Sequence, residues 1–122
     1  MAHPIVHIEL SATNPTAAAQ WYAHQFGWIP GAMPGEQYAT AAFSDKPGMG
    51  VGFYPISEKS PAGRIIPHIM IEDIAAQMES IRAAGGEIIG EPVHTPTVGT
   101  WCLFKDPSGN IVGILQPEQW PE

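Results

Sequence analysis

The stretch IVHIEL at residues 5–10 returns as IPHIMI at residues 66–71, an offset of 61 residues along the chain. In both stretches an apolar face alternates with a mixed face that carries a histidine, which is the two-residue period of a strand. The offset also joins identical residues further along: Phe43 and Phe104, Asp45 and Asp106, Gly48 and Gly109, Val51 and Val112, Gly52 and Gly113. Chance rarely aligns so many identities, so the sequence predicts a tandem repeat of two modules of about 60 residues.

Each copy predicts the same order of elements, a strand, a helix and three short strands. In the first copy the strand at 4–10 precedes a helix at 17–26, with Asn14 as its N-cap and Gly27 as its end. In the second copy a strand at 65–72 precedes a helix that Asp73 caps and Gly85 ends. The short strands are predicted near 28–29, 37–43, 51–54, 87–89, 99–104 and 111–116. This order indicates an α+β fold of two βαβββ modules.

Length and composition limit the classes of protein and partner. A chain of 122 residues predicts a single domain over 1–122, whose modules, about 1–55 and 65–122, are too small to bury a core alone. The five basic residues are scattered among twelve acidic ones, for a net charge of −7, which argues against nucleic acid and anionic membranes as partners. A lone cysteine and an N-terminus unlike a secretory signal predict a cytoplasmic protein.

The two repeated histidines are candidate metal ligands. His7 and His68 occupy equivalent strands, and imidazole is a common ligand of Zn, Ni or Fe. Two ligands are too few for a competent site, and each histidine has the alternative role of a hydrogen-bonded residue in a half-buried strand. Glu9 lies on the same strand face as His7 and is a candidate catalytic acid or base, whereas the repeat places Met70 at the equivalent position.

Aromatic residues suggest a place for a flat organic ligand. Trp101, Tyr38, Phe53 and His94 are candidate ligand-binding residues lining an aromatic cavity, with core packing as the alternative. Cys102 is interpreted as a small buried residue and not as a nucleophile.

Three segments together carry a resemblance to a known family. The ending FKDPSGNIVGILQ at 104–116 and the strands HIEL and HIMIEDI resemble the vicinal oxygen chelate superfamily, also called the glyoxalase/bleomycin resistance/dioxygenase family. Within it, the ending is similar to that of predicted enzymes related to lactoylglutathione lyase. The resemblance implies curved mixed sheets around a cavity and metal-ligand positions at His7, Gly52, His68 and Gly113. Two of these four are glycine, which has no donor side chain.

The resemblance implies a lyase or isomerase acting on a small molecule of unknown identity, with an incomplete metal site. The alternative is a metal-free protein that sequesters a metabolite or drug, as bleomycin-binding relatives do, and a third reading is an accessory domain without chemistry. Because no acidic residue stands at Gly52 or Gly113, metal-dependent glyoxalase I activity is not expected. Modules this small leave sheet edges exposed, which favours a homodimer.

Overall fold

A computed structural model describes residues 2–31, 38–43, 49–58 and 60–118. The chain divides into two compact units, Val6–Pro67 and Met1–Ile5 with His68–Glu122. The elements in chain order are β1 (Ile5–Ala12), α1 (Pro15–Phe26), β2 (Ile29–Pro30), β3 (Ala39–Ala42), β4 (Gly50–Pro55), β5 (Ile65–Met70), α2 (Ile74–Ala83), β6 (Glu87–Thr95), β7 (Gly99–Lys105) and β8 (Ile111–Pro117). The α+β class and the βαβββ order of both modules are thereby confirmed, whereas a single domain over 1–122 stays a prediction.

The unit Val6–Pro67 holds a mixed sheet with one helix on it. β1 pairs in parallel with β4, which pairs antiparallel with β3, and β3 pairs antiparallel with β2. The side chain of Asn14 accepts a hydrogen bond from the Ala17 N–H, and Gly27 ends α1 in the left-handed region at φ 74°. Small side chains of the helix and sheet surround Phe53, which is 1% exposed; the buried core consists of Ala12, Ala19, Ala39, Ala41, Val51 and Phe53.

The second unit repeats this arrangement. β5 pairs in parallel with β8, β8 antiparallel with β7, and β7 antiparallel with β6. Asp73 caps α2 by accepting a hydrogen bond from the Ala76 N–H. The buried core consists of Ile71, Met78, Cys102 and Ile114, so Cys102 is the small buried residue that the sequence predicted.

The start of α1 agrees with the prediction, whereas the end of β6 does not. α1 begins at Pro15, directly after its predicted N-cap Asn14, because proline is suited to the first helical turn. β6 continues to Thr95, where the sequence predicted an end at residue 89 before Gly90 and Pro92. A shift of the pairing register between Ile89 and Val93 lets the strand continue past both residues. The repeat identities at Asp45 and Gly48 lie outside the described residues.

The turn between β7 and β8 is held by Asp106. Its carboxylate accepts hydrogen bonds from the backbone N–H groups of Ser108 and Asn110, both at 2.9 Å, and from the Asn110 side chain at 3.0 Å. The bonds from Asn110, side chain first, lower the pKa of Asp106 below its ordinary value. The ionised form of Asp106 therefore stabilises the folded state.

Replacing Asp106 with asparagine tests this role, since the variant keeps a side-chain oxygen and loses the charge. We expect Asp106→Asn to melt at a lower temperature than the wild type at neutral pH. The difference between the two melting temperatures should shrink as the pH falls below about 4 and through the lowered pKa of Asp106 in the folded state, because the wild-type carboxylate is then protonated. Thermal unfolding across this pH range is the measurement, and a gap that stays constant would contradict the argument.

In the part of the chain that the structure describes, no helix is long and apolar enough to cross a membrane.

Candidate functional site

A chain of hydrogen bonds joins three side chains in the unit Val6–Pro67. The two-residue period of β1 places His7 and Glu9 on one face, and Tyr38 lies just before β3. The Tyr38 hydroxyl lies 2.9 Å from His7 Nε2 and 2.9 Å from Glu9 Oε2. All three residues are half-buried. A candidate acid, a hydroxyl and an imidazole are thus connected in one line.

The direction of these bonds follows from the number of protons. A tyrosine hydroxyl has a single proton, and Tyr38 donates it to Glu9, since a carboxylate only accepts. The Tyr38 oxygen then accepts from His7, which places the imidazole proton on Nε2. Burial, followed by the negative charge of Glu9 and the hydrogen bond to it, raises the pKa of Tyr38 far above its ordinary value. The Tyr38 hydroxyl therefore stays protonated and donates its hydrogen bond to the Glu9 carboxylate.

Gly52 permits this arrangement because it has no side chain. It lies opposite Glu9 in the parallel pairing of β1 with β4. A Cβ atom at Gly52 would overlap the Tyr38 hydroxyl and would lie 2.8 Å from His7 Nε2. The glycine thus leaves the space that the Tyr38 hydroxyl and the imidazole occupy.

Gly113 has the same relation to His68 in the second unit. His68 is 5% exposed and lies opposite Gly113 in the pairing of β5 with β8. A Cβ atom at Gly113 would lie 2.6 Å from His68 Cε1 and 2.9 Å from its Cγ, and closer still to Nδ1. The ring therefore packs directly against the backbone of β8, in the space that a side chain at residue 113 would need.

The residues present do not fit the divalent metal (Zn, Ni or Fe) that the resemblance implies. Two of the four implied ligand positions are Gly52 and Gly113, and other side chains already occupy the space beside each, the Tyr38 hydroxyl at Gly52 and the His68 imidazole at Gly113. Within residues 2–31, 38–43, 49–58 and 60–118, no three His, Cys, Asp or Glu side chains are grouped so as to hold a metal ion. The assignment of His7 and His68 as metal ligands stays a prediction without a third ligand among these residues.

The candidate ligand-binding residues lie in both units. Tyr38 belongs to the hydrogen-bond chain and Phe53 to the core of the same unit. In the other unit the half-buried Trp101 donates from Nε1 to Thr95 Oγ1 at 3.2 Å. His94 is exposed and pairs with Glu118 at 3.0 Å. Their joint role in binding a ligand stays a prediction.

The sequence predicts Tyr38 only as a ligand-binding residue and does not reveal its hydrogen bond to Glu9. The two residues are 29 positions apart, and Tyr38 precedes a strand that pairs with β4 and not with β1. The available signal was Gly52, because a glycine inside a strand often marks the close approach of another group.

The sequence profile of the Glyoxalase/Bleomycin resistance protein/Dioxygenase superfamily matches residues 4–114. The chain belongs to this superfamily, as the resemblance predicted.

One curated relative is the protein named "Putative glyoxylase CFP32" of Mycobacterium tuberculosis, 36% identical over 50 residues. These cover 41% of this chain and 19% of the relative, so the chain matches about a fifth of that protein's length.

Solved structures share the fold at low sequence identity. A hypothetical protein from Bacillus halodurans C-125 has a TM-score of 0.76 at 16% identity, covering 100% of this chain and 99% of the other. Methylmalonyl-CoA epimerase from Mycobacterium tuberculosis has a TM-score of 0.75 at 14% identity, covering 94% and 88%. Identities this low show the common fold alone.

Proposed function

We propose that this protein is a glyoxalase-like enzyme of the lyase or isomerase type that moves a proton on a small molecule. In this proposal Glu9 accepts the proton and returns it. The observation that carries the proposal is the Tyr38 hydroxyl, 2.9 Å from both Glu9 and His7. A carboxylate that a half-buried neutral donor holds in one orientation is suited to general acid–base catalysis.

The reaction that suits Glu9 begins at a carbon–hydrogen bond next to a carbonyl. The bond breaks, its proton passes to the Glu9 carboxylate, and the electron pair moves onto the carbonyl oxygen as an enolate. Return of the proton to the same carbon regenerates the carbonyl compound and restores Glu9. Where that carbon also carries a hydroxyl, the hydroxyl proton moves to the enolate oxygen, the returned proton adds to the neighbouring carbon, and the carbonyl is left on the first carbon; this route also restores Glu9 and consumes nothing. Tyr38 keeps Glu9 oriented through this cycle, and His7 orients Tyr38 by donating from Nε2. No step uses a metal, because Gly52 and Gly113, at two of the four implied ligand positions, have no side chain that could bind one.

Exchange of carbon-bound hydrogen for deuterium tests the proposal. Purified protein in D₂O is given methylmalonyl-CoA or the adduct of methylglyoxal with glutathione, and proton NMR follows the loss of the carbon-bound signal. The expected result is catalysed exchange on a carbonyl substrate that persists after treatment with a chelator. Exchange that needs added metal, or that is equally fast in Glu9→Gln, contradicts the proposal.

A metal-free sequestering protein is the second candidate. It is favoured by the side chains that fill the space beside both glycines, Tyr38 at Gly52 and His68 at Gly113, because a binding protein needs no ligand carboxylate there. Stoichiometric binding of planar aromatic compounds without any exchange would support this candidate. Quenching of tryptophan fluorescence is the measurement.

We further propose a homodimer in the cytoplasm. The lone cysteine, Cys102, is a buried free thiol, which suits a reducing compartment.

A further inference from the structure

Exposed aromatic side chains in the unit Val6–Pro67 are joined into one continuous surface by the half-buried Trp28. Trp21 is 55% exposed, Phe26 63% and Phe43 45%. Ring centroids lie 6.2 Å apart from Trp21 to Phe26, 6.2 Å from Phe26 to Trp28, and 5.1 Å from Trp28 to Phe43. Ile29, 45% exposed, follows Trp28 in the chain. We name the surface of these five residues the α1 aromatic face.

The helix that supports this face carries no formal charge. α1 contains no Asp, Glu, Lys or Arg, and its exposed polar residues are Thr16, Gln20, His24 and Gln25. The whole chain has a net charge of −7. Protein interfaces have this composition, with aromatic residues at the centre, few charges and a polar rim.

The repeat shows that the fold does not require aromatic residues here. When the two N-caps, Asn14 and Asp73, are superposed along the sequence, the buried Ala19 matches the buried Met78. Trp21 then matches Ser80, which is exposed. In contrast to α1, α2 carries charged residues on its exposed side, Glu79 and Arg82. An exposed tryptophan at this position is therefore present in the first module and absent from the equivalent position of the second.

We infer that the α1 aromatic face is the surface at which two copies of this chain associate about a twofold axis. Two chains of charge −7 repel each other, and this uncharged face allows them to meet without placing carboxylates against each other. In a twofold dimer the same face serves both partners, so Trp21 contributes to the interface twice, once from each partner. The inference locates the interface of the proposed homodimer and does not depend on the reaction of Glu9.

The area of the face suits a reversible dimer. Side chains of this size, about half exposed, present roughly 400 Å² of apolar surface, since a fully buried aromatic residue covers about 150–250 Å². A standard interface takes about 800 Å² from each partner, and the polar rim of α1 supplies the remainder.

The test is the mass of the protein in solution as a function of its concentration. Wild type should show about twice its 13.1 kDa monomer mass at high concentration, and added salt should tighten the dimer by screening the negative charges. Trp21→Ser, which installs the residue found at the equivalent position of α2, should raise the dissociation constant at least tenfold. The double variant Trp21→Ser/Phe26→Gln should raise it at least 100-fold. Analytical ultracentrifugation measures all three proteins.

Ile65→Ser is the matched control, because Ile65 is 64% exposed and lies outside the face. It should dimerise like the wild type, and circular dichroism should show every variant folded, since the substituted residues are exposed. Should the double variant not fold, Trp21→Ser alone decides the matter. A monomeric wild type, a dimer unaffected by Trp21→Ser, or equal weakening by Ile65→Ser would each overturn the inference.

Discussion

Glu9→Gln should lower kcat for hydrogen exchange by about 10³-fold, because general acid–base groups contribute about 10²–10⁴-fold to the rate. Glutamine has the size of glutamate and still accepts the Tyr38 hydrogen bond, so the hydrogen-bond chain keeps its geometry. The measurement is the exchange rate at saturating substrate. Glu87→Gln is the control, because Glu87 is an exposed carboxylate in the other unit and its loss should leave the rate unchanged.

Tyr38→Phe separates orientation from proton transfer. Losing the hydroxyl removes the donor that orients the Glu9 carboxylate and leaves the carboxylate itself in place. The kcat for exchange should therefore fall, but by less than in Glu9→Gln, and the exchange rate at saturating substrate is the measurement. A Glu9→Gln variant that keeps a tenth or more of the wild-type kcat would remove Glu9 from the reaction.

Gly113→Ala should lower the free energy of unfolding by about 3 kcal/mol, the upper end of the usual cost of overpacking a core. The added Cβ would lie 2.6 Å from His68 Cε1, and His68, at 5% exposure, has little room to move. Urea unfolding, followed by circular dichroism, gives the free energy.

Gly50→Ala is the matched control, because a Cβ at Gly50 makes only ordinary contacts, 3.6 Å from His7 Nδ1 and 3.8 Å from the Ala41 carbonyl oxygen. Its cost should stay below about 1 kcal/mol, the usual range for a substitution without a steric conflict. In a double-mutant cycle, Gly113→Ala should lower the free energy of unfolding much less in the His68→Ala background than in the wild type, because the overlap disappears with the imidazole ring. Two additive substitutions would show that the imidazole does not occupy this space.

Periodicity and capping predicted most of the fold. The alternation around His7 and His68 located two strands, and Asn14 and Asp73 marked the starts of the helices, because both signals act within a few residues. The full length of β6 was not predictable in this way. A register shift compensates for Gly90 and Pro92 there, and that shift depends on the partner strand β7.

The candidate site was predicted in part. His7 and Glu9 lie on one strand face, so their proximity follows from the two-residue period alone. The bridge through Tyr38 depends on how β3 pairs with β4 and β4 with β1, which no local pattern encodes. Gly52 and Gly113 were recognised as replacing ligands, whereas the packing that requires them, Tyr38 against Gly52 and His68 against Gly113, is visible only in three dimensions.

Glutamate at residue 9 and methionine at residue 70 make the duplication asymmetric in a way that bears on stereochemistry. Inversion at one carbon needs one group to remove a proton from one side and a second group to deliver a proton from the other. A repeat that carries the acid in one copy only favours a single base that takes and returns the proton on the same side. Of the isomerisations open to a carbonyl compound, such a base is best matched to a proton shift between neighbouring carbons, with part of the original hydrogen retained in the product.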